Sequence, residues 1–255
     1  MAVGCLVLGL AGMAAYVRHA RRHPHPLIDL QLLRLVTLRA GVLGGLLFRV
    51  GIGATPFLLP LMLQLGFGMT PLASGLLTFF SAVGAMFMKT LAARILRRFG
   101  FRRVLWINAL LASAMLAGFG LFRIDTPHWL IIGVLLVSGC FRSLQFTSLN
   151  AITYAEVDQG RMGQASALSG MMQQFSLALG VAVGGYALQL AGAFTGEDYA
   201  NAANFGWAFL TVGLISAMSA WVMFRLPHDA GAEMAGRAQD GKEVAEPKAA
   251  QRPAT

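Results

Sequence analysis

Long apolar stretches separated by short polar connections dominate the pattern of this chain. Seven segments carry few or no charges, and they span residues 1–16, 41–65, 72–96, 104–122, 129–149, 165–190 and 205–224. A helix rises about 1.5 Å per residue, so a hydrocarbon core of about 30 Å needs about 20 residues, a length that all but the first segment supply. None alternates with period two, as strands of a membrane barrel would. The pattern predicts an all-α polytopic membrane protein.

The positive charges fall on alternate connections. Of the 20 Lys and Arg residues, all but four lie in residues 16–40, 93–103 and 153–164 or from residue 225 onward. The connections on the opposite side hold only Arg123. Basic connections face the cytoplasm by the positive-inside rule, which places the amino terminus outside and the carboxy terminus in the cytoplasm. We expect a multi-pass protein of the cell inner (plasma) membrane.

Four regions follow from this threading. Residues 1–17 are expected to form a first transmembrane helix, which is short and therefore truncated. Residues 18–40 form a cytoplasmic loop, in which leucines at three- and four-residue spacing over residues 26–39 predict an amphipathic interfacial helix. Residues 41–225 form a six-helix domain. Residues 226–255 lack a hydrophobic period and predict a disordered cytoplasmic tail.

Composition narrows the function classes. A mean hydropathy of +0.64 with 56% hydrophobic residues is too apolar for a soluble protein. The net charge of +9 follows from the loop arginines, without the aromatic and basic motifs of a nucleic-acid reader. Cys5 and Cys140 lie in apolar segments, and the histidines at 19, 23 and 25 lie in a proline-broken loop, so we expect no disulfide, metal or cofactor. No catalytic motif is present, which argues against an enzyme.

Three cations lie within the predicted spans: Arg49, Lys89 and Arg142. A charge in the hydrocarbon costs roughly 2.5 to 3.5 kcal/mol on insertion scales, so each calls for an explanation. Counted along the predicted helices, they lie about 10 to 12 Å from the basic ends and form one layer. The seven segments contain no Asp or Glu to neutralise it. Three explanations stay open: snorkelling of the stems, pairing with acids of another domain, and attraction of an anionic substrate.

These cations are not equivalent. Lys89 is the best candidate for snorkelling, because its stem is closest to the surface. Arg142 is the better functional candidate, since Ser138, Arg142 and Gln145 share one helical face and form a polar stripe. Packing between helices explains the stripe equally well.

Two further positions are candidates for substrate or coupling contacts. Arg49 shares its face with Gly45 and Gly53, which allow a neighbouring backbone to approach; bonding to backbone carbonyls and contact with substrate are equally open. Gln173 belongs to a stripe of small and polar residues, Ser166, Ser169, Gln173, Ser176, Gly180 and Gly184. Such stripes are more often helix interfaces than sites.

The connection after the third segment reads Arg97-Arg98-Phe99-Gly100-Phe101-Arg102-Arg103. It resembles the loop motif of the major facilitator superfamily, in which an acid is followed by Arg, any residue, Gly and two basic residues. The resemblance assigns Arg98, Gly100, Arg102 and Arg103 to a gating loop. Arg97 stands where the family has Asp, so the salt bridge of that acid is missing.

Three membrane stretches extend the resemblance: residues 48–64, FRVGIGATPFLLPLMLQ; residues 140–150, CFRSLQFTSLN; and residues 161–183, RMGQASALSGMMQQFSLALGVAV. Together they look like the carboxy-terminal half of a fourteen-helix drug:proton antiporter of the EmrB/QacA type. The resemblance covers about residues 1–226. It implies one six-helix major-facilitator half-domain, built of two inverted three-helix repeats, after one truncated transmembrane helix.

The resemblance also implies a function. Residues 41–225 would be the transporter domain, one half of a proton-coupled multidrug or small-molecule exporter that works by alternating access. Arg142 and Gln145 match the family's Arg-x-x-Gln element, which lines the cavity. The implied partners are the lipid bilayer, a small-molecule substrate, protons and an amino-terminal transporter half or a homodimer partner, with no nucleic acid. The alternative is a non-transporting protein, either a truncated remnant or an accessory subunit of another transporter.

Labelling of single cysteines tests the predicted threading. After Cys5 and Cys140 are replaced by Ser, Arg98→Cys and Ala200→Cys should react with a membrane-impermeant maleimide from opposite faces, because three predicted spans separate them. Intact cells should label only Ala200→Cys, and inverted vesicles only Arg98→Cys. Labelling of both positions from one face would contradict the threading.

Overall fold

The structure, a computed structural model, describes residues 30–196 and 201–227 together with Gly9, Ala11, Gly12 and Arg18. Apart from these four positions, the predicted first helix at 1–17 and the first part of the loop 18–40 lie outside the described residues. The tail after residue 227 lies outside them as well.

Six long helices form the described part of the chain. They are α1 (Val36–Leu61), α2 (Pro71–Phe99), α3 (Phe101–Gly118), α4 (His128–Thr153), α5 (Met162–Thr195) and α6 (Ala202–Phe224). A π-helical turn, Met62–Gly66, extends α1, and 3-10 turns occur at Leu30–Arg34, Phe119–Leu121 and Gln159–Arg161. With these turns, all six helices are long and apolar enough to cross a membrane, and no strand occurs among the described residues. This confirms the predicted all-α polytopic class.

Helix ends are set by local chemistry beyond the apolar segments. The Thr70 hydroxyl accepts a hydrogen bond from the Ala73 amide at 3.3 Å, and Pro71 opens α2. Gly100, with φ of 79°, is the single residue between α2 and α3, and this left-handed conformation favours glycine. The helices therefore continue several residues past the predicted boundaries.

The start of α1 differs most from the sequence prediction. Where the interfacial helix was expected over residues 26–39, the described residues form the 3-10 turn Leu30–Arg34, and α1 already begins at Val36. The Glu156 carboxylate, in the α4–α5 connection, accepts a hydrogen bond from the Thr37 amide at 3.3 Å. An acid at this position satisfies a free amide of the first turn, so a contact distant in sequence supports the earlier start.

Short links make consecutive helices run in opposite directions. We call the end that holds the start of α1, the α2–α3 and α4–α5 connections and the end of α6 the basic face, and the opposite end the far face. The basic face carries Arg39, Arg97, Arg98, Arg102, Arg103 and Arg225. The start of α3 contacts the end of α6 at this face, because Arg102 Nε donates a hydrogen bond to the Phe224 carbonyl at 3.1 Å.

The helix pairs repeat with a pseudo-twofold relation. The most extensive contacts join α1 with α5, α2 with α4, and α3 with α6. If α1, α2 and α3 are exchanged with α4, α5 and α6, the α1–α5 pair becomes the α2–α4 pair. The α3–α6 pair is unchanged by this exchange. Helices α1 and α4 run in opposite directions, so the two repeats are inverted in the membrane, as expected for transporter half-domains.

Glycines set the closest crossing of α2 and α4. A methyl group added at Gly139 would collide with the carbonyl oxygen of Ser81, and one added at Gly84 would collide with that of Leu136. Such contact between backbones is typical of membrane helices, where small residues replace the hydrophobic driving force.

The crossing of α1 and α5 is built in the same way. A methyl group at Gly53 would meet the backbone of Leu177, and one at Gly180 would meet the carbonyl of Val50. Both crossings use one glycine from each helix, so the pseudo-symmetry extends to the packing contacts.

Burial is uneven among the helices. In the most apolar stretch of each helix, 56% of the residues of α1 are buried, compared with 17% in α2 and 22% in α5. Aromatic side chains including Phe119, Phe205 and Phe209 fill the core toward the far face, and aliphatic ones including Leu105, Leu149 and Met223 fill it toward the basic face. Helix α1 is therefore the centre of the bundle, while α2 and α5 leave broad faces uncovered.

The α2–α4 crossing gives a test with a matched control on one helix. Gly139→Ala should destabilise the protein by about 1 to 3 kcal/mol, because the methyl group overpacks a backbone contact. Gly133→Ala, also on α4, meets no atom within 4 Å and should be neutral or slightly stabilising. Thermal unfolding of the two variants in detergent measures the difference, and equal midpoints would contradict the crossing.

Candidate functional site

Arg142 lies at a small cavity between the two repeats. Its guanidinium, on α4, donates to the Ser81 hydroxyl on α2 at 3.1 Å. The cavity has a volume of about 30 Å³, and its wall comes from α1, α2, α3, α4 and α6. That volume matches the space of about one water molecule. At this volume the cavity beside Arg142 has no room for a drug-sized molecule.

The polar side chains of this cavity are few, and most of them are hydrogen-bonded to neighbouring groups. Thr55 donates to the Gly51 carbonyl at 2.8 Å, and Ser113 donates to Ser216 at 3.0 Å across the α3–α6 pair. Most of the remaining wall is apolar. Arg142 is the cation that lines it, and Ser81 is the partner that holds its guanidinium.

Arg49 is more deeply buried, with 1% of its surface exposed. One terminal nitrogen of Arg49 donates to Oδ1 of the Asn150 side chain on α4 at 3.2 Å, and its Cζ lies 5.7 Å from the Phe146 ring centre. A methyl group at Gly45 would collide with the guanidinium, so this glycine makes room for it. Among the described residues, Nε of Arg49 has no hydrogen-bond partner. Asn150 is thus the one side-chain acceptor recorded for Arg49 in the described part of the chain.

The two guanidinium groups do not share a layer. Helical side chains point toward the amino end of their helix, and α1 and α4 run in opposite directions. Arg49 reaches toward the basic face, to Asn150, whereas Arg142 reaches toward the far face, to Ser81. Asn150 lies about 12 Å nearer the basic face than Arg142 along α4. The single layer predicted by counting residues is therefore wrong for the side chains.

Gln145 holds α4 to α3. It is fully buried; its amide oxygen accepts from Asn108 at 2.9 Å, and its amide nitrogen donates to the Leu105 carbonyl at 3.1 Å. Asn108 also donates to the Phe141 carbonyl at 2.8 Å. Gln145 does not line the cavity of Arg142. In the predicted stripe, Ser138 and Arg142 line the cavity, whereas Gln145 packs against α3.

Lys89 and Gln173 lie apart from this cavity. Lys89 is exposed on α2, and Gln173 is half-buried on α5; neither lines the cavity. The neighbours of Gln173 in the predicted stripe, Ser176 and Gly180, are buried. A methyl group at Gly180 would collide with α1, so this part of the stripe is a helix interface.

The predicted gating loop joins the ends of three helices. Gly100 provides the turn, and Arg102 donates to the Phe224 carbonyl while its Cζ lies 5.1 Å from the Phe224 ring centre. Arg98 Cζ lies 5.7 Å from the Phe99 ring centre, and Arg103 is exposed. Arg102 thereby fastens the α2–α3 connection to the end of α6.

Sequence reasoning missed Ser81, Phe146 and Asn150. A signal for two of them existed, because Arg142, Phe146 and Asn150 follow at four-residue intervals and lie along one face of α4. Ser81 had no such signal, since its role depends on the α2–α4 crossing. No group of three or more metal-binding side chains occurs in residues 30–196 and 201–227.

Known proteins resemble this chain along most of its length. The sequence model described as Major Facilitator Superfamily matches residues 1–181 and 41–253. MdtD of Pectobacterium atrosepticum is 33% identical over 226 residues, covering 88% of this chain and 48% of that protein. MdtD of Citrobacter koseri is 31% identical over 232 residues, covering 90% and 49%, and that of Escherichia coli (strain K12 / DH10B) is 29% identical over 228 residues, covering 89% and 48%.

Each of these relatives is named as a candidate multidrug resistance protein. The chain spans about half the length of the curated relatives it matches.

A double-mutant cycle tests the Arg49–Asn150 contact. Asn150→Leu should destabilise the protein by about 1.5 to 3 kcal/mol, because it leaves a buried charge without its acceptor. Arg49→Met should cost less, since it removes the charge as well, and in the Arg49→Met background Asn150→Leu should have little further effect.

Thermal unfolding in detergent provides the measurement. The control combines Asn150→Leu with Lys89→Met, which removes an exposed cation and should give additive effects. Additivity in the Arg49 cycle would show that the two side chains do not interact.

Proposed function

The chain belongs to the Major Facilitator Superfamily, a family of membrane transporters, and we propose that residues 41–225 form one half of a proton-coupled exporter of drugs or other small molecules that works by alternating access. The names of the relatives, which refer to multidrug resistance, support the substrate class. The proposed activity is transport without chemical conversion of the substrate.

The observation that carries this proposal is the position of Arg142. A cation inside a membrane bundle marks a functional site by default, because its burial is costly. Arg142 lies at a small cavity whose wall includes helices of both inverted repeats, and its hydrogen bond to Ser81 joins α4 of one repeat to α2 of the other. Breaking and remaking this bond would couple movement of the repeats to opening of the cavity.

The substrate would bind between this domain and a second one. Helices α2 and α5 are the least buried of the six, and their uncovered faces are the surfaces we propose for contact with an amino-terminal transporter half or a second copy of the chain. Arg49, Lys89, Gln145 and Gln173 take positioning or packing roles in this proposal, and Arg98, Gly100, Arg102 and Arg103 form the gating connection.

Proton coupling is proposed to come from an amino-terminal half, since a second copy of this chain would add no acid to the spans. The predicted spans contain no Asp or Glu, so acids that bind and release protons within the membrane must lie outside this domain. The positive-inside rule places the basic face in the cytoplasm and the amino terminus outside. Protons would then enter from the far face and leave at the basic face, while the substrate moves the opposite way.

Expression of these residues alone in efflux-deficient cells tests the function. We expect dye export only when an amino-terminal half, or a second copy recoverable by crosslinking, is present. Absence of export, with no recoverable partner, would favour a non-transporting protein.

Arg142→Gln should lower export of anionic and cationic dyes alike in the assembled transporter. The loss should be roughly tenfold, the equivalent of one charge-assisted hydrogen bond of about 1.5 kcal/mol. The reason is that Arg142 binds Ser81 in a cavity too small for substrate. Loss of the guanidinium should therefore affect the conformational change and leave the selectivity for substrate charge unaffected. Initial rates in cells, normalised to protein abundance, provide the measurement.

Ser81→Ala is the companion variant and should reproduce part of this loss. Arg142→Lys, which keeps the charge, should retain more activity than Arg142→Gln. Loss confined to anionic dyes would contradict the positioning role and assign Arg142 to substrate binding.

A further inference from the structure

A groove opens at the basic face, between the start of α1 and the end of α6. It has a volume of about 270 Å³. Leu43, Trp221 and Val222 line its wall, and Arg39 and Arg225 lie at its rim. Leu43 and Trp221 are exposed, by 48% and 64% of their surfaces. The groove therefore combines an exposed apolar wall with two cations at the ends of the helices that form it.

The packing of the two helices fixes this groove in place. A methyl group at Gly44 would collide with the Met223 side chain, so α1 and α6 are in close contact just inside it. Arg102 holds the end of α6 through its hydrogen bond to the Phe224 carbonyl. The rim is thus attached to two firmly packed helix ends.

The two rim arginines are available to a ligand. Both are exposed, and in residues 30–196 and 201–227 neither makes a salt bridge. Arg225 Cζ lies 4.8 Å from the Trp221 ring centre, which orients its guanidinium over the groove wall. The nearby acid Glu156 does not pair with them; its carboxylate accepts a hydrogen bond from the amide of Thr37, a fully buried residue.

We propose that this groove binds an anionic phospholipid. The phosphate of the headgroup would lie between Arg39 and Arg225, since guanidinium groups bind phosphate oxygens through paired N–H donors. One acyl chain would lie along Leu43, Trp221 and Val222. Basic pockets between membrane helices on the cytoplasmic side are suited to such headgroups.

The apolar wall distinguishes a lipid from a free anion. A soluble phosphate would contact the two guanidinium groups and leave the wall uncovered, whereas a lipid covers both parts. A zwitterionic lipid would cover the wall, but its own cation would offset the attraction of the rim. Charge and apolar surface together therefore select a lipid with a net negative headgroup.

Native mass spectrometry of the full 255-residue chain in neutral detergent tests the proposal. The probes are phosphatidylglycerol, phosphatidylcholine of the same acyl composition, and inorganic phosphate. We expect phosphatidylglycerol to remain bound, phosphatidylcholine to bind weakly, and inorganic phosphate neither to bind nor to compete.

The double variant R39Q/R225Q should bind phosphatidylglycerol about 30-fold more weakly, because each basic residue near an anionic surface contributes a factor of about five. The matched control is R94Q/R97Q, which removes two exposed charges of the same face outside the groove and should bind as the unmodified chain does. If R39Q/R225Q does not fold, the single variants R39Q and R225Q replace it, each with a loss of about fivefold.

Three results would overturn the proposal: equal binding of phosphatidylcholine, equal loss in R94Q/R97Q, or displacement of the lipid by inorganic phosphate. The first two would indicate general attraction to the protein surface, and the third a site for soluble anions. The readout is binding alone, so these results do not depend on transport.

Discussion

The hydrocarbon cannot solvate a charge, and this constraint organises the centre of the molecule. Arg49 and Arg142 lie on predicted spans that contain no acid, so within this domain neutral oxygens of neighbouring helices stabilise them. Asn150 accepts from Arg49, and Ser81 accepts from Arg142. Each bond joins one inverted repeat to the other, so the cost of burying the charges is offset only while the repeats are in register.

Close backbone packing holds the repeats in that register. The α2–α4 crossing places Ser81 against Gly139, one helical turn from Arg142. A bulkier residue at the crossing would move the hydroxyl away from the guanidinium. The same arrangement of glycines joins α1 to α5, so Arg49 and Arg142 lie on helices whose spacing is set by glycines. Small residues thereby determine where the charged groups are satisfied.

The sequence predicted the helices well and the contacts less well. Apolar length and the distribution of arginines were sufficient for six spans, because both depend on the membrane and not on tertiary packing. The start of α1 at Val36 depends in part on Glu156, more than a hundred residues away, and no local pattern contains that information. Likewise, Gln145 shares a face with Arg142 by spacing, yet its amide turns to Asn108 on α3. Residue identity marked the polar positions, and only the packing showed which helix each of them contacts.

The connection between α2 and α3 is one residue long, and this restricts how the bundle can change shape. With Gly100 alone between Phe99 and Phe101, the two helix ends cannot separate at the basic face, and the Arg102 bond to Phe224 adds the end of α6 to this junction. Relative motion of α2 and α3 must therefore increase with distance from Gly100. Any widening of the bundle between these helices is a pivoting motion, greatest at the far face and smallest at the arginine-rich end.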